Sequence, residues 1–471
     1  MPSTDVARTE RTAAPGQAER WPRLATLIGT SLGFGVIQLD VTVVNVAVKQ
    51  IGGTFGGGIA GLQWVVSSYT LMFAALILAA GAMGDRFGAR RVVCAGFVIF
   101  VTASMACGLA PGMVVLIAAR AVQGIGAALL GACSLALLNH TITEPHQRAR
   151  AIGLWAAGAS AALSGGPVIG GLLIASVGWR GIFFINVPIG LAGLWLVWRH
   201  APRAEPTARR HPDLAGAIAA IIALAAFAAA VIEAGTLGFA DARVLAGLAL
   251  SALAAAAFVR IQARSAHPML PLALFRNRGF ASPVVIGLLV NVCFYGLIFL
   301  FSLLFQQQHG MSALRAGLAF LPMTAAILAA NLLSGHLSAA IGATRTILAG
   351  LAAMIAGCAA LLWAGPGTSY LAMLAQQVLL GGGLGLLVPP MTGLVLSAVE
   401  RSRSGVASGA LTAFRQAGSL LGIALFGSVA ASDFYPGLHT ALWISIAVLA
   451  LSVAVSRFAP GRAASRRGGL R

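Results

Sequence analysis

The sequence predicts an all-α polytopic membrane protein of 14 transmembrane helices, built as two six-helix halves plus two inserted helices. Three observations carry that prediction. Of the 471 residues, 59% are hydrophobic and only 9% charged, where a soluble domain carries about 25% charged residues. Such a chain cannot cover a water-facing surface, so most of its outer surface faces lipid. Apolar runs of about 20 residues, the length a hydrocarbon core requires, recur from end to end. The basic residues gather in alternate gaps between those runs, as cytoplasmic loops do.

Taken in order, the spans fall at 24–47, 60–82, 91–110, 113–138, 149–175, 182–199, 213–233 and 243–260, followed by 280–305, 314–338, 344–364, 369–397, 404–430 and 438–457. The first run is too long for a signal-peptide core and has no clear cleavage site, so it reads as a spanning helix. The Ala-rich pair at 213–260 is the least distinct. Residues 1–23 are polar and Arg-bearing and read as a disordered cytoplasmic segment. Residues 24–199 then form the first six-helix bundle and 200–279 the inserted pair with its flanking cytoplasmic loops. Residues 280–457 form the second bundle, and 458–471 a basic cytoplasmic tail.

The net charge of +19 is a topological charge, not a nucleic-acid footprint. Lys49 is the only lysine, and the arginines sit in short gaps, not in a stripe interleaved with aromatics. With both termini cytoplasmic, only Lys49, Arg180, Arg243 and Arg315 lie on the outer side and only Arg120 and Arg415 within the membrane. Cys94, Cys107, Cys133, Cys293 and Cys358 all lie in apolar runs without a C-x-x-C pair, so no metal site or disulfide framework is expected.

The chain repeats itself. Gly81-x-x-x-Asp85-x-x-Gly88, followed by Arg90 and Arg91, joins helices 2 and 3; Gly335-x-x-x-Ala339-x-x-Gly342, followed by Arg345, joins helices 10 and 11. Small residues at every fourth position mark helix 5 (Gly158, Ala162, Gly166, Gly170) and helix 13 (Gly405, Gly409, Ala413, Ala417). Such stripes let helix backbones approach closely in lipid. Helices 1–6 thus correspond to 9–14, and duplicated halves mark a transporter that rocks about a central site.

Asp40 is the only acid clearly inside the hydrocarbon region, where a charge costs about 2.5–3.5 kcal/mol on insertion scales and signals function. Arg120 in helix 4 and Asp40 in helix 1 lie roughly 12 and 10 Å below the outer face at 1.5 Å per residue. Their depths match, so a pairing is geometrically allowed; a structural role for Arg120, bonding to carbonyls, is the alternative. Gln377 occupies the Arg120 position in the second half, so coupling chemistry belongs to the first. Asn45, Gln123, Asn291, Tyr295, Arg415 and Gln416 are candidate cavity residues. Glu233 ends helix 7 and reads as interfacial. Pro167 removes a backbone hydrogen bond among the helix 5 glycines and makes that helix bendable.

These motifs together resemble the 14-helix drug:proton antiporters of the major facilitator superfamily, over residues 24–457, and most closely the actinomycete antibiotic-resistance exporters of the methylenomycin-resistance type. The resemblance implies the major facilitator fold. It identifies Gly81, Asp85, Arg86, Gly88, Arg90 and Arg91 as a cytoplasmic gate, latched by Asp85, and assigns Arg120 to proton transfer with Asp40. Gly158, Gly166, Pro167, Gly170 and Gly171 are similar to the antiporter signature that separates exporters from importers. Leu39–Val48 is similar to the helix 1 signature, with Lys49 where a proline is common, a departure expected to alter the helix end. Trp179–Gly190 resembles the helix 5–6 joint and reads as structural.

The expected function is proton-coupled export of small amphipathic or apolar compounds by alternating access. A metabolite importer on the same fold is the nearest alternative. An intramembrane enzyme would need clustered acids or metal ligands, and none are found. The chain has no G-x-x-x-x-G-K-[ST] phosphate loop, so an ion gradient must drive it. The expected partners are the lipid bilayer, protons and a small-molecule substrate, without nucleic acid, cofactor or metal. The chain is expected to act as a monomer in a bacterial inner membrane.

Overall fold

The computed structural model describes residues 17–142, 144–203, 213–400 and 403–457. Its helices are α1 (Gln17–Phe55), α2 (Gly58–Phe87), α3 (Ala89–Gly108), α4 (Met113–Thr141), α5 (Pro145–Val177), α6 (Gly181–His200) and α7 (Leu214–Leu237), then α8 (Ala242–Arg264), α9 (Arg278–Leu303), α10 (Ala313–Ile341), α11 (Ala343–Ala359), α12 (Leu371–Ser397), α13 (Ser404–Val429) and α14 (Phe434–Arg457). Thirteen are long and apolar enough to cross a membrane; α11, at 17 residues, is the short one and continues as turns to Leu362.

Element boundaries depart from expectation mainly in α1. It starts at Gln17, so residues 17–23, expected to be disordered, are helical, and it runs on to Phe55. Nothing between Val48 and Phe55 breaks a helix until Gly56 and Gly57, both at positive φ, turn the chain. Residues 1–16, much of the expected 200–279 leading loop (204–212) and the tail 458–471 lie outside the described residues.

The duplication is visible in the packing. α1 packs on α5 as α9 packs on α13; α2 and α3 pack on α4 as α10 and α11 pack on α12. The turn glycines correspond too: Gly88 (φ 89°) and Gly342 (φ 93°) sit where a side chain would be strained. The halves meet along two seams related in the same way, α2 against α13 and α5 against α10.

The inserted pair is not uniformly peripheral. α8 packs on α7, whereas α7 lies across α2 and α13. Gly235 of α7 comes so close to Ser428 that an added Cβ would stand 3.1 Å from its backbone. Helix α7 therefore covers one seam between the halves.

Candidate functional site

Asp40 is 1% exposed and pairs with the guanidinium of Arg120, also 1% exposed. Four helices besides α1 supply the surroundings. Gln123 of α4 donates to Asp40 Oδ1 at 2.9 Å and accepts from Arg120 at 2.6 Å. Asn186 of α6 donates to the same Oδ1 at 2.9 Å. Ser104 of α3 accepts from Gln123 at 2.8 Å. Arg120 Nε donates to the Val65 carbonyl of α2 at 3.1 Å, and its guanidinium lies 4.3 Å from the Tyr69 ring centre and 5.8 Å from that of Phe183.

Each partner answers a physical need. A buried carboxylate must be paired and its remaining lone pairs satisfied, or its desolvation is uncompensated. A guanidinium has five donors, which carbonyl, amide and aromatic faces can share with the acid. Close approach of the helices is secured by glycine: at Gly124 a side chain would collide with the Tyr69 carbonyl, and at Gly126 with the Phe100 backbone.

On the other side of α1 lies a narrow apolar crevice between the halves, with an interior of about 20 Å³. Thr42, Asn45, Leu163 and Pro167 form one wall and Phe294, Tyr295, Ile298, Phe320 and Met323 the other. At 100° per residue, Thr42 and Asn45 stand about 160° and 140° around the helix from Asp40. The ion pair and the crevice thus share one helix and occupy opposite faces of it.

The other sequence candidates divide. Asn45 and Tyr295 line the crevice. Gln123 does not: it is fully buried in the ion-pair cluster, because its amide can both donate to Asp40 and accept from Arg120. Asn291 turns onto its own helix and donates to the Gly287 carbonyl at 2.7 Å. Arg415 and Gln416 are half-buried at mid-helix in α13. Glu233 is exposed.

Gly166 and Gly170 pack against α1 at Thr42 and Val43, and Gly171 and the Pro167 carbonyl meet Ala313–Gly317 of α10. Gly158 touches nothing within 4 Å of its Cβ position. At the Arg-rich end Asp85 is exposed, Arg86 lies 5.3 Å from the Phe87 ring centre, Arg91 is exposed, and Arg90 donates to the Trp198 carbonyl. Gly81 has open space around it, while Gly88 makes the turn.

Four residues were not legible as site residues. Asn186 lies in the joint read as structural yet bonds Asp40. Ser104 and Tyr69 carry no charge to single them out of their helices. Lys49, read only as a helix-end change, donates to the Gln306 carbonyl of the second half at 2.6 Å.

Comparison with known proteins agrees with this architecture. The Major Facilitator Superfamily profile matches residues 30–423. The chain is 38% identical over 410 residues to the multidrug resistance protein Stp of Mycobacterium tuberculosis, covering 87% of this chain and 76% of that protein. It is 36% identical over 428 residues to the methylenomycin A resistance protein of Streptomyces coelicolor, covering 90% and 89%. It is 33% identical to the tetracenomycin C resistance and export protein of Streptomyces glaucescens, covering 92% and 80%. The solved structure of the human organic anion transporter MFSD10 superposes with a TM-score of 0.61 over 93% of this chain and all of that one, at 16% identity, a likeness of fold.

Proposed function

The chain belongs to the Major Facilitator Superfamily, and from that premise we propose that it exports small amphipathic or apolar compounds from the bacterial cell in exchange for protons. Relatives named for multidrug resistance, antibiotic resistance and export support the direction and the cargo class. The observation that carries the coupling is the buried Asp40–Arg120 pair.

A proton taken up by Asp40 cancels its charge and breaks the ion pair. The Arg120 cation is then left to Gln123, the Val65 carbonyl and the Tyr69 face. Ionised, Asp40 draws α4 and α6 onto α1 through three donors; neutral, it holds them less. Because the crevice lies on the opposite face of α1, a change in how that helix is held alters the substrate wall directly. Proton and substrate then bias one two-state element, which is what coupled exchange requires. The Gly81–Arg91 loop serves as the cytoplasmic gate with Asp85 as its latch, both termini are cytoplasmic, and the proton gradient is the only energy source for a monomer without cofactor.

Near 100 mV one proton supplies about 2.3 kcal/mol, enough for roughly a 50-fold gradient of a neutral compound. Asp40→Asn keeps the size of the side chain but turns one acceptor oxygen into a donor and cannot carry the proton. In proteoliposomes with an imposed pH gradient this variant should stop concentrating drug while downhill equilibration persists. Uphill transport at near wild-type rate would sink the assignment and pass the role to Glu233.

A further inference from the structure

The second half carries an intramembrane cation of its own, and it has no counter-ion among the described residues. Arg415 stands eleven residues into α13, about 16 Å from the Arg-rich end at 1.5 Å per residue. Its stem lies against Gly287 of α9, where an added Cβ would come 3.2 Å from its Cγ, so the missing side chain makes room for it. Its Nε is buried without a hydrogen-bond partner, and no acid among the described residues pairs with it. The one titratable group in electrostatic reach is the Tyr295 hydroxyl.

Arg120 shows what a fully partnered intramembrane arginine looks like: an acid, an amide, a carbonyl and two aromatic faces surround it. Arg415 has none of the first three. A charge at mid-membrane without a partner is costly and is retained at functional positions. Tyr295 opens onto the crevice, and the buried Asn45 Oδ1 on the facing wall and the buried Tyr69 hydroxyl lack hydrogen-bond partners. The remaining walls are apolar.

We propose that Arg415, with Tyr295 beside it, is the docking point for an anionic group, a carboxylate, enolate or phenolate, on the compound this protein exports. This rests on the exporter reading and narrows its substrate class from neutral amphipath to organic acid. The anion takes the charge-assisted donors of Arg415 and the Tyr295 hydroxyl, and its apolar body lies against Phe294, Ile298 and Met323. Tyr69 connects this point to the proton site: its ring lies under Arg120, and its hydroxyl is within electrostatic reach of Tyr295.

The test uses the full chain in lipid nanodiscs with 2-naphthoate and its neutral counterpart 2-naphthamide, each titrated at equilibrium. Wild type should bind naphthoate about 10-fold more tightly than naphthamide, the scale of one charge-assisted pair. R415Q should erase that preference by weakening naphthoate alone; R415M serves the same purpose if R415Q does not fold. Equal binding of the two probes by wild type, no naphthoate binding, or a preference that survives in R415Q or R415M overturns the proposal. Binding needs no transport, so the exporter reading can fail in proteoliposomes while this preference stands, and the reverse.

Discussion

A single carboxylate organises most of the first half. Asp40 is held by Arg120, Gln123 and Asn186, from two other helices. Removing one donor leaves an acceptor buried without its bond, which costs about 1–3 kcal/mol. Asn186→Ala should therefore lower the apparent melting temperature by several degrees and depress proton-driven export, while leaving downhill drug equilibration. An unchanged melting temperature and full uphill export would show that Asn186 only packs. The contrast in legibility follows from the same energetics. Asp40 and Arg120 are legible because charge in hydrocarbon is costly, and their depths in oppositely running helices coincide. Asn186, Ser104 and Tyr69 are neutral, and a neutral polar residue in an apolar run is compatible with back-bonding to its own helix, as Asn291 in fact does. Gln123 was legible as polar but not as to which side of its helix it served.

At the scale of elements, α1 and α5 do the connecting. α1 carries Asp40 on one face, the crevice wall on the other and Lys49 near its outer end. α5 brings its glycines against α1 at Thr42 and Val43 and against α10 at Ala313–Gly317. The small-residue stripe was legible from spacing alone, but spacing could not say that its members differ. Gly166, Gly170 and Gly171 are filled by neighbours, whereas Gly153 and Gly158 face open space. That difference belongs to a seam closed toward the outer end and parted toward the Arg-rich end, its last hydrogen-bonded contact being Ser164 to the Thr324 carbonyl at 3.4 Å. Gly317, opposite the Pro167 carbonyl, has no room for a side chain here. Gly317→Val should therefore disfavour this arrangement and expose a cysteine introduced on that seam at Ala313 to thiol reagents. Gly158→Leu should fold and bind drug normally in this arrangement but slow turnover by obstructing closure of the other end. Wild-type turnover in Gly158→Leu would show that the inner half of the stripe never packs.

Across the whole molecule, the count of fourteen helices, the duplication and the order of packing were all legible, because each reports on how much apolar chain a bilayer must hide. What stayed hidden was which seams are shut, since that depends on contacts between residues hundreds of positions apart. The α2–α13 seam is tied at Gln63, whose amide donates to the Ile423 and Ala424 carbonyls at 2.9 and 2.8 Å, and it is covered by α7. The outer end is tied again at α9, where Ser302 donates to the Asn45 carbonyl and Lys49 to that of Gln306. Lys49 is the only lysine of the chain and stands at the end of the bundle away from the Arg-rich loops, the side that the proposed topology puts outside. Its bond is charge-assisted but partly solvated, so it contributes about 1 kcal/mol, a factor of about 5 in a two-state population. The bond exists only while the outer ends of the halves touch, so it stabilises this arrangement and not its alternate. Lys49→Ala should then move the equilibrium toward the outward-open state by about 5-fold without touching the proton or substrate groups. Spin labels at Ala157 of α5 and His336 of α10, both exposed on the parted side, would read the change as growth of the short-distance population in pulsed dipolar spectra. If the distribution in Lys49→Ala matches wild type, the outer end is held by helix packing alone and the lysine is no latch.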